Sequence, residues 1–246
     1  MYFLDLPGNI LLALAVNISI ALISFKAKLV DITGVMAGLA AGVFVFIGLG
    51  HQGFIILFTF FLLGSLASKF KMKTKEKMGL AQKKGGQRGW LHVLANCSIA
   101  TACALCIMIF PSANRLLFFV AAVAALATAL GDTISTELGQ LYGRRAFLLI
   151  SLKKVKPGTE GAVSAEGTVF GFAASIGIAL LALAFHPFEG YGFDAVIVVS
   201  LAAMTANMIE SVIGGFYHKY GKESPETLLN FANTLFGAAL AAVWFL

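Results

Sequence analysis

LLFFVAAVAALATALGDTISTELG, residues 116–139, decides the fold. Its first part is apolar without strand-type alternation, which argues against an outer-membrane barrel. Its length matches the roughly 20 residues that cross a bilayer as a helix. The second part changes character. Asp132, Ser135, Thr136 and Gly139 recur at offsets 0, +3, +4 and +7, which places them on one helical face. A carboxylate and hydroxyls face lipid only at high cost, so this stripe must meet other polar groups inside a bundle.

The rest of the chain is of the same kind. Further apolar runs fall at 7–24, 32–50, 53–68, 90–110, 164–186, 193–217 and 229–246. Hydrophobic residues make up 59% of the 246 residues and charged residues 12%, with a mean hydropathy of +0.89. A soluble domain carries about 25% charge, so this composition argues against a soluble enzyme. The expected fold is all-α: a polytopic membrane helix bundle of about eight transmembrane helices, one integral membrane domain over 1–246 with no room for a soluble one. MYFLDLPGN at the amino terminus has Asp5 and no basic stretch, so no cleaved signal peptide is expected. Cys97, Cys103 and Cys106 share one apolar run without metal or CxxC spacing and read as packing residues.

Charge placement tests the span count. With alternating spans, one set of loops holds every Lys and Arg except Arg115, out of 18. That bias predicts basic loops in the cytoplasm of an inner or plasma membrane, with both termini outside. The net charge of +6 then speaks of orientation and anionic lipid, not of nucleic acid. Two cytoplasmic loops stand out, a basic one at 69–89 and one at 140–163 with a Lys cluster and GTEG. The first reads either as a solvated, lipid-hugging loop or as a flexible basic lid, with Gly85, Gly86 and Gly89 permitting motion. Gly34, Gly38 and Gly42, spaced by four, predict close helix packing.

An internal repeat organises the polar residues. ISTELGQLY (134–142) matches IESVIGGFY (209–217), and GTVFGFA (167–173) matches NTLFGAA (233–239), in the same order. Spans five and six thus resemble spans seven and eight, a parallel repeat. The matching stripes read Asn207, Glu210, Ser211 and Gly214; Ser164, Gly167, Thr168 and Gly171; and Asn230, Asn233, Thr234 and Gly237. All sit at the cytoplasmic ends of their spans, which predicts a polar cavity open on that side. Asp132 and Glu210 lead as ligands for Mg²⁺, which takes one or two carboxylates plus substrate phosphates. Asn207 can coordinate or orient. Glu137 lies about 140° around the helix from Asp132; it serves from a broken helix end or pairs with a nearby Lys or Arg. Backbone N–H groups at the start of span six, after LKKVKPGTEGAVSAEGT (152–168), can receive a phosphate. His92 and Asn96 share a face of span four, and either extend the cavity or bond within the core. There is no GxxxxGK[ST], no GxSxG and no HExxH, and His51, His92, His186 and His218 are scattered, which speaks against a P-loop enzyme, an esterase and a zinc hydrolase.

GDTISTELG, KPGTEGAVSAEGT, NMIESVIGG and NFANTLFG, in this order, resemble the integral membrane family of transmembrane protein nineteen and the chloroplast phytyl-phosphate kinases. QRGWLHVLANC (87–97) is similar to a further family stretch, with His92 where Gln is usual. The resemblance implies a CTP-dependent kinase that converts a membrane-embedded prenyl monophosphate (phytyl, geranylgeranyl or farnesyl phosphate) to the diphosphate. It also implies distant similarity to polyprenol kinases and phosphatidate cytidylyltransferases. On that reading Asp132 and Glu210 hold Mg²⁺, with Asn207, Glu137 or Glu160 assisting. Arg88, Lys153, Lys154, Lys156, Thr159, Ser164 and Thr168 contact phosphate. Asn96, Ser135, Thr136, Ser211, Asn230 and Asn233 shape the cavity. The partners are CTP or another nucleoside triphosphate, the prenyl monophosphate and membrane lipids; the oligomeric state is left open. The competing readings are a lipid-phosphate transporter or flippase, and a cytidylyltransferase acting on a lipid phosphate.

Overall fold

A computed structural model describes residues 6–110, 112, 114–185 and 192–246, with the backbone alone at 6–9, 83 and 84. Asp5 and His186 fall outside the described residues. The helices are α1 (Leu6–Lys26), α2 (Ile32–Lys69), α3 (Met72–Lys77), α4 (Trp90–Ile109), α5 (Arg115–Tyr142), α6 (Ala165–Ala184), α7 (Gly192–Lys219) and α8 (Glu226–Val243). Among the described residues, α2 and α4 to α8 are each long and apolar enough to cross a membrane. Local chemistry sets their starts. Asp31, Asn114 and Ser164 each accept a hydrogen bond from the backbone N–H three residues on, satisfying donors that a helix start leaves open.

The runs at 32–50 and 53–68 both fall in α2, which is 38 residues long. A straight helix of that length would extend roughly 57 Å at about 1.5 Å per residue. A hydrocarbon core is only about 30 Å thick. The helix breaks at Gly50, whose φ of 74° and ψ of −176° are a conformation essentially reserved for glycine. The chain reverses there. The Phe46 and Phe54 rings lie 5.5 Å apart. A Cβ at Gly34 or at Gly64 would touch Arg88. Lys69 Nζ donates to Ala27 O at 2.9 Å. So α2 is a helical hairpin with two antiparallel arms, each roughly 28 Å long.

Helix α5 is the centre of the bundle and packs against α2, α4, α6, α7 and α8. Its stretch from Phe119 to Gly131 is buried throughout, and its alanines let neighbouring helices come close. Glycines set the nearest approaches. A Cβ at Gly171 would stand 2.6 Å from Gly131 O, and one at Gly139 would stand 3.2 Å from Gly167 Cα. These contacts lock α5 to α6. Gly237, matched to Gly171 by the sequence pattern, also approaches α5, at Thr128.

The basic loops gather at one end of the bundle. Arg88 N donates to Leu29 O at 3.0 Å, and Asp31 N to Arg88 O at 3.1 Å. The 69–89 loop is partly folded onto the bundle. It contains α3 and a 3₁₀ turn, Lys83–Gly86, and Lys75 is buried with 0% exposure. The 140–163 loop is not structureless. It carries a small antiparallel sheet of β1 (Ala146–Leu148), β2 (Lys154–Val155) and β3 (Ala162–Ser164), in the order β2-β1-β3. Ala146 faces Val155 on one side and Ser164 on the other. β3 runs directly into α6, so the sheet fixes where α6 begins.

Candidate functional site

At the end of the bundle that holds the basic loops lies a cavity of about 290 Å³. Its walls come from the last turns of α5 and α7, the first turns of α6 and α8, the start of α4, and the Pro157–Ser164 loop. The helical stripes read from the sequence supply most of it. Asp132, Ser135, Thr136 and Glu137 come from α5. Ser164, Gly167, Thr168 and Gly171 line the start of α6, and Asn207, Glu210 and Ser211 come from α7. Asn230, Asn96, Arg88, Thr159 and Glu160 complete it.

The carboxyl groups of Asp132 and Glu210 meet in side-chain hydrogen-bonding contact. Two facing carboxyls need a shared proton or a cation between them. Amides hold the Glu210 side of the pair. Asn233 Nδ2 donates to Glu210 Oε2 and, at 2.8 Å, to Asn207 Oδ1. Asn230, in the amide orientation its neighbours dictate, donates to Glu210 Oε1 and to Glu226 O, each at 3.0 Å. Ser135 donates to Asp132 O at 2.9 Å and Ser211 to Asn207 O at 3.0 Å. Asn233 sits behind the wall at 3% exposure, and its Oδ1 has no hydrogen-bond partner. The apposed carboxylates, with the Asn207 amide beside them in the wall, are hard oxygen donors, the kind that suits Mg²⁺. Among the described residues no group of three or more His, Cys, Asp or Glu side chains is arranged to hold a metal ion, so substrate oxygens would have to complete any coordination sphere.

Glu137 takes the second of the two roles open to it. It is 1% exposed, forms an ion pair with Lys75 and accepts from Gln82. Lys75 Nζ also donates to Ala67 O at 2.9 Å and Ser68 O at 3.0 Å. All three donors of the ammonium are thereby used, and Glu137 is neutralised in place. Glu160 Oε1 accepts from Ser224 N at 3.1 Å, tying its loop to the α7–α8 connection. Gly161 in that loop has φ +70°, and a Cβ there would stand 2.0 Å from Gly215 N. The loop therefore lies flat on α7, and only glycine allows it.

Arg88 is buried at 6% exposure, its guanidinium 5.3 Å from the Phe60 ring centroid. Burial pushes its pKa down, against the opposing pull of Cys97 and Glu137. Lys153, Lys154 and Lys156 are exposed and lie outside the cavity wall, so the structure does not bring them to the acid pair. Asn96 Nδ2 donates to His92 O at 3.0 Å, while both residues line the cavity. Glu226, Gln82, Ser175 and Ser224 also line it and carry no expectation from the sequence. A stripe signal existed for two of them: Glu226 lies four residues before Asn230, and Ser175 four after Gly171, one helical turn in each case.

A polar, acid-lined cavity at one end of an apolar helix bundle defines an integral membrane protein with a site for a polar ligand. The chain belongs to the family described as Integral membrane protein DUF92, whose model matches residues 15–230. Among its relatives is sll0875 of Synechocystis sp., described as an uncharacterized membrane protein. It is 38% identical over 81% of this chain and 76% of its own length. Protein VTE6, chloroplastic, of Arabidopsis thaliana is 32% identical over 85% of this chain and 63% of its own length. Protein PGR of the same plant is 29% identical over 84% and 78%. No solved structure matches the chain. The family resemblance carried by GDTISTELG and KPGTEGAVSAEGT is borne out.

Proposed function

We propose that the protein is a CTP-dependent kinase that phosphorylates a membrane-embedded prenyl monophosphate to the prenyl diphosphate at the cytoplasmic face of the membrane. The observation that carries this reading is the contact of Asp132 with Glu210, whose carboxylate Asn230 and Asn233 hold. The cavity lining has five carboxylates, Asp132, Glu137, Glu160, Glu210 and Glu226, against Arg88. Lys75 cancels Glu137. A phosphate enters such a space only with a cation.

Asp132 and Glu210 would hold Mg²⁺, with Asn207 assisting from the cavity wall. Bound there, the metal would neutralise phosphate charge. In the reaction a phosphate oxygen of the prenyl monophosphate attacks the γ-phosphorus of CTP. The bond to the β–γ bridging oxygen breaks, and CDP leaves with that oxygen and its electron pair. The attacking oxygen is already ionised, so no strong general base is needed. Positioning and charge neutralisation remain as the work of the protein. Thr136, Ser164 and Thr168 would donate to phosphate oxygens, and Asn230 and Asn233 hold Glu210 in orientation. The exposed lysines, Lys153, Lys154 and Lys156, are assigned the weaker task of attracting CTP by long-range charge.

The test uses the purified full chain in lipid nanodiscs with Mg²⁺, CTP and phytyl, geranylgeranyl or farnesyl monophosphate. The expected products are CDP and the prenyl diphosphate. Release of inorganic diphosphate instead would make the protein a cytidylyltransferase. Substrate movement across proteoliposomes without nucleotide turnover would make it a transporter.

A further inference from the structure

A second cavity adjoins the first, lined by α1, both arms of α2 and the start of α4. It is about 90 Å³ and apolar, with Val35, Leu39, Leu57, Phe61 and Val93 among its walls. Arg88 and His92 line both cavities, so Arg88 stands where polar and apolar spaces meet. Arg88 is a buried cation with no ion pair among the described residues. Glu137, the carboxylate nearest in effect, is taken by Lys75 and Gln82. A buried charge without a counter-ion is costly and is relieved by a ligand of opposite sign.

The glycine stripe of α2 points the same way. Gly42 packs on Asn17 of α1, as close helix packing predicts, whereas Gly34 packs on Arg88 O in the loop before α4. Gly38, midway between them, does not: a Cβ there would meet nothing within 4 Å. One turn from Arg88 O, the helix presents open space instead of a partner.

We propose that this groove is the tail subsite for a lipid monophosphate, with the head-proximal end of an isoprenoid or alkyl chain lying over Gly38 and its phosphate anchored on Arg88. The inference rests on the kinase reading and adds to it the side from which the lipid arrives. The tail enters between α1 and the α2 hairpin, whereas the nucleotide occupies the acid-lined cavity across Arg88. The anion balances the guanidinium, and the chain replaces water or lipid against Leu57 and Phe61. The rest of a long chain stays in the bilayer.

The full-length protein in phosphatidylcholine nanodiscs is irradiated with an alkyl monophosphate bearing a diazirine close to its head. Labelled peptides are then mapped by mass spectrometry. Labels are expected on the α2 arms and α4, competed by farnesyl monophosphate and not by farnesol. Gly38→Phe, which fills the groove, and Arg88→Gln, which removes the anchor, should each lower labelling about tenfold or more, the worth of one charge-assisted contact. An unchanged unfolding midpoint of each variant in the same nanodiscs controls for folding. Labels confined to α6–α8, equal competition by farnesol, or full labelling of Gly38→Phe would overturn the groove. Prenyl diphosphate formed with labels only on α6–α8 would end this proposal and leave the kinase standing. Groove labelling without any CDP would do the reverse.

Discussion

Two acidic contacts lie five residues apart on α5, and they are opposites. Glu137 meets a cation: Lys75 is fully buried and spends its remaining donors on Ala67 O and Ser68 O. Asp132 meets another acid, Glu210, whose carboxylate two amides hold without neutralising it. The first contact is complete and fastens the basic segment to the bundle. The second is incomplete and needs something from outside. Similar carboxylates about one and a half turns apart thus separate a structural role from the ligand-binding one proposed above, and the neighbour decides which is which.

The contrast can be broken experimentally. The largest effect is expected from Lys75→Met, which strands Glu137 in the interior. Removing one member of a buried pair costs about 3–5 kcal/mol, to be read as a lowered unfolding midpoint in nanodiscs. Adding Glu137→Leu should restore most of it, because an apolar pair replaces a buried ion pair at little cost. Next, Asp132→Asn should lower prenyl diphosphate formation by ~10²–10³, the loss typical of one preorganised electrostatic group. Its unfolding midpoint should hold or rise, since a facing like charge is removed; destabilisation to match Lys75→Met would erase the distinction.

Gly161→Ala comes third. A Cβ pressed against Gly215 N at positive φ costs about 1–3 kcal/mol of local strain, and it should raise the KM for CTP by displacing Glu160 and Thr159. Smallest is the combined replacement of Lys153, Lys154 and Lys156 by Ala. Exposed side chains change stability by no more than about 0.5 kcal/mol. The expected signature is a weaker salt dependence of CTP capture at unchanged kcat; a collapse of kcat would place the lysines in the site after all.

Much of this was legible in the sequence because it is periodic. The apolar runs, the bias of Lys and Arg and the stripes at 3.6-residue spacing are local patterns, and each maps onto one helix. Asp132, Asn207, Glu210 and Asn230 line one cavity for that reason, with Asn233 just behind its wall. What was not legible depends on partners distant in sequence. Lys75 looks like its neighbours Lys73 and Lys77, and only its pairing with Glu137, 62 residues away, makes it part of the interior. The sheet at 146–164 has strands of two or three residues, too short for alternation to register. Gly38 shares its spacing with Gly34 and Gly42, and nothing local tells that it faces space.

The break at Gly50 also bears on how the protein is made. With so little chain between the arms, the first cannot be anchored and its successor left waiting in water. Its backbone polar groups are satisfied only once helical, and its apolar surface only in lipid. The arms must therefore leave the ribosome-bound insertion machinery as a pair, and a residue at position 50 that resists left-handed geometry would be felt in biogenesis before it was felt in catalysis.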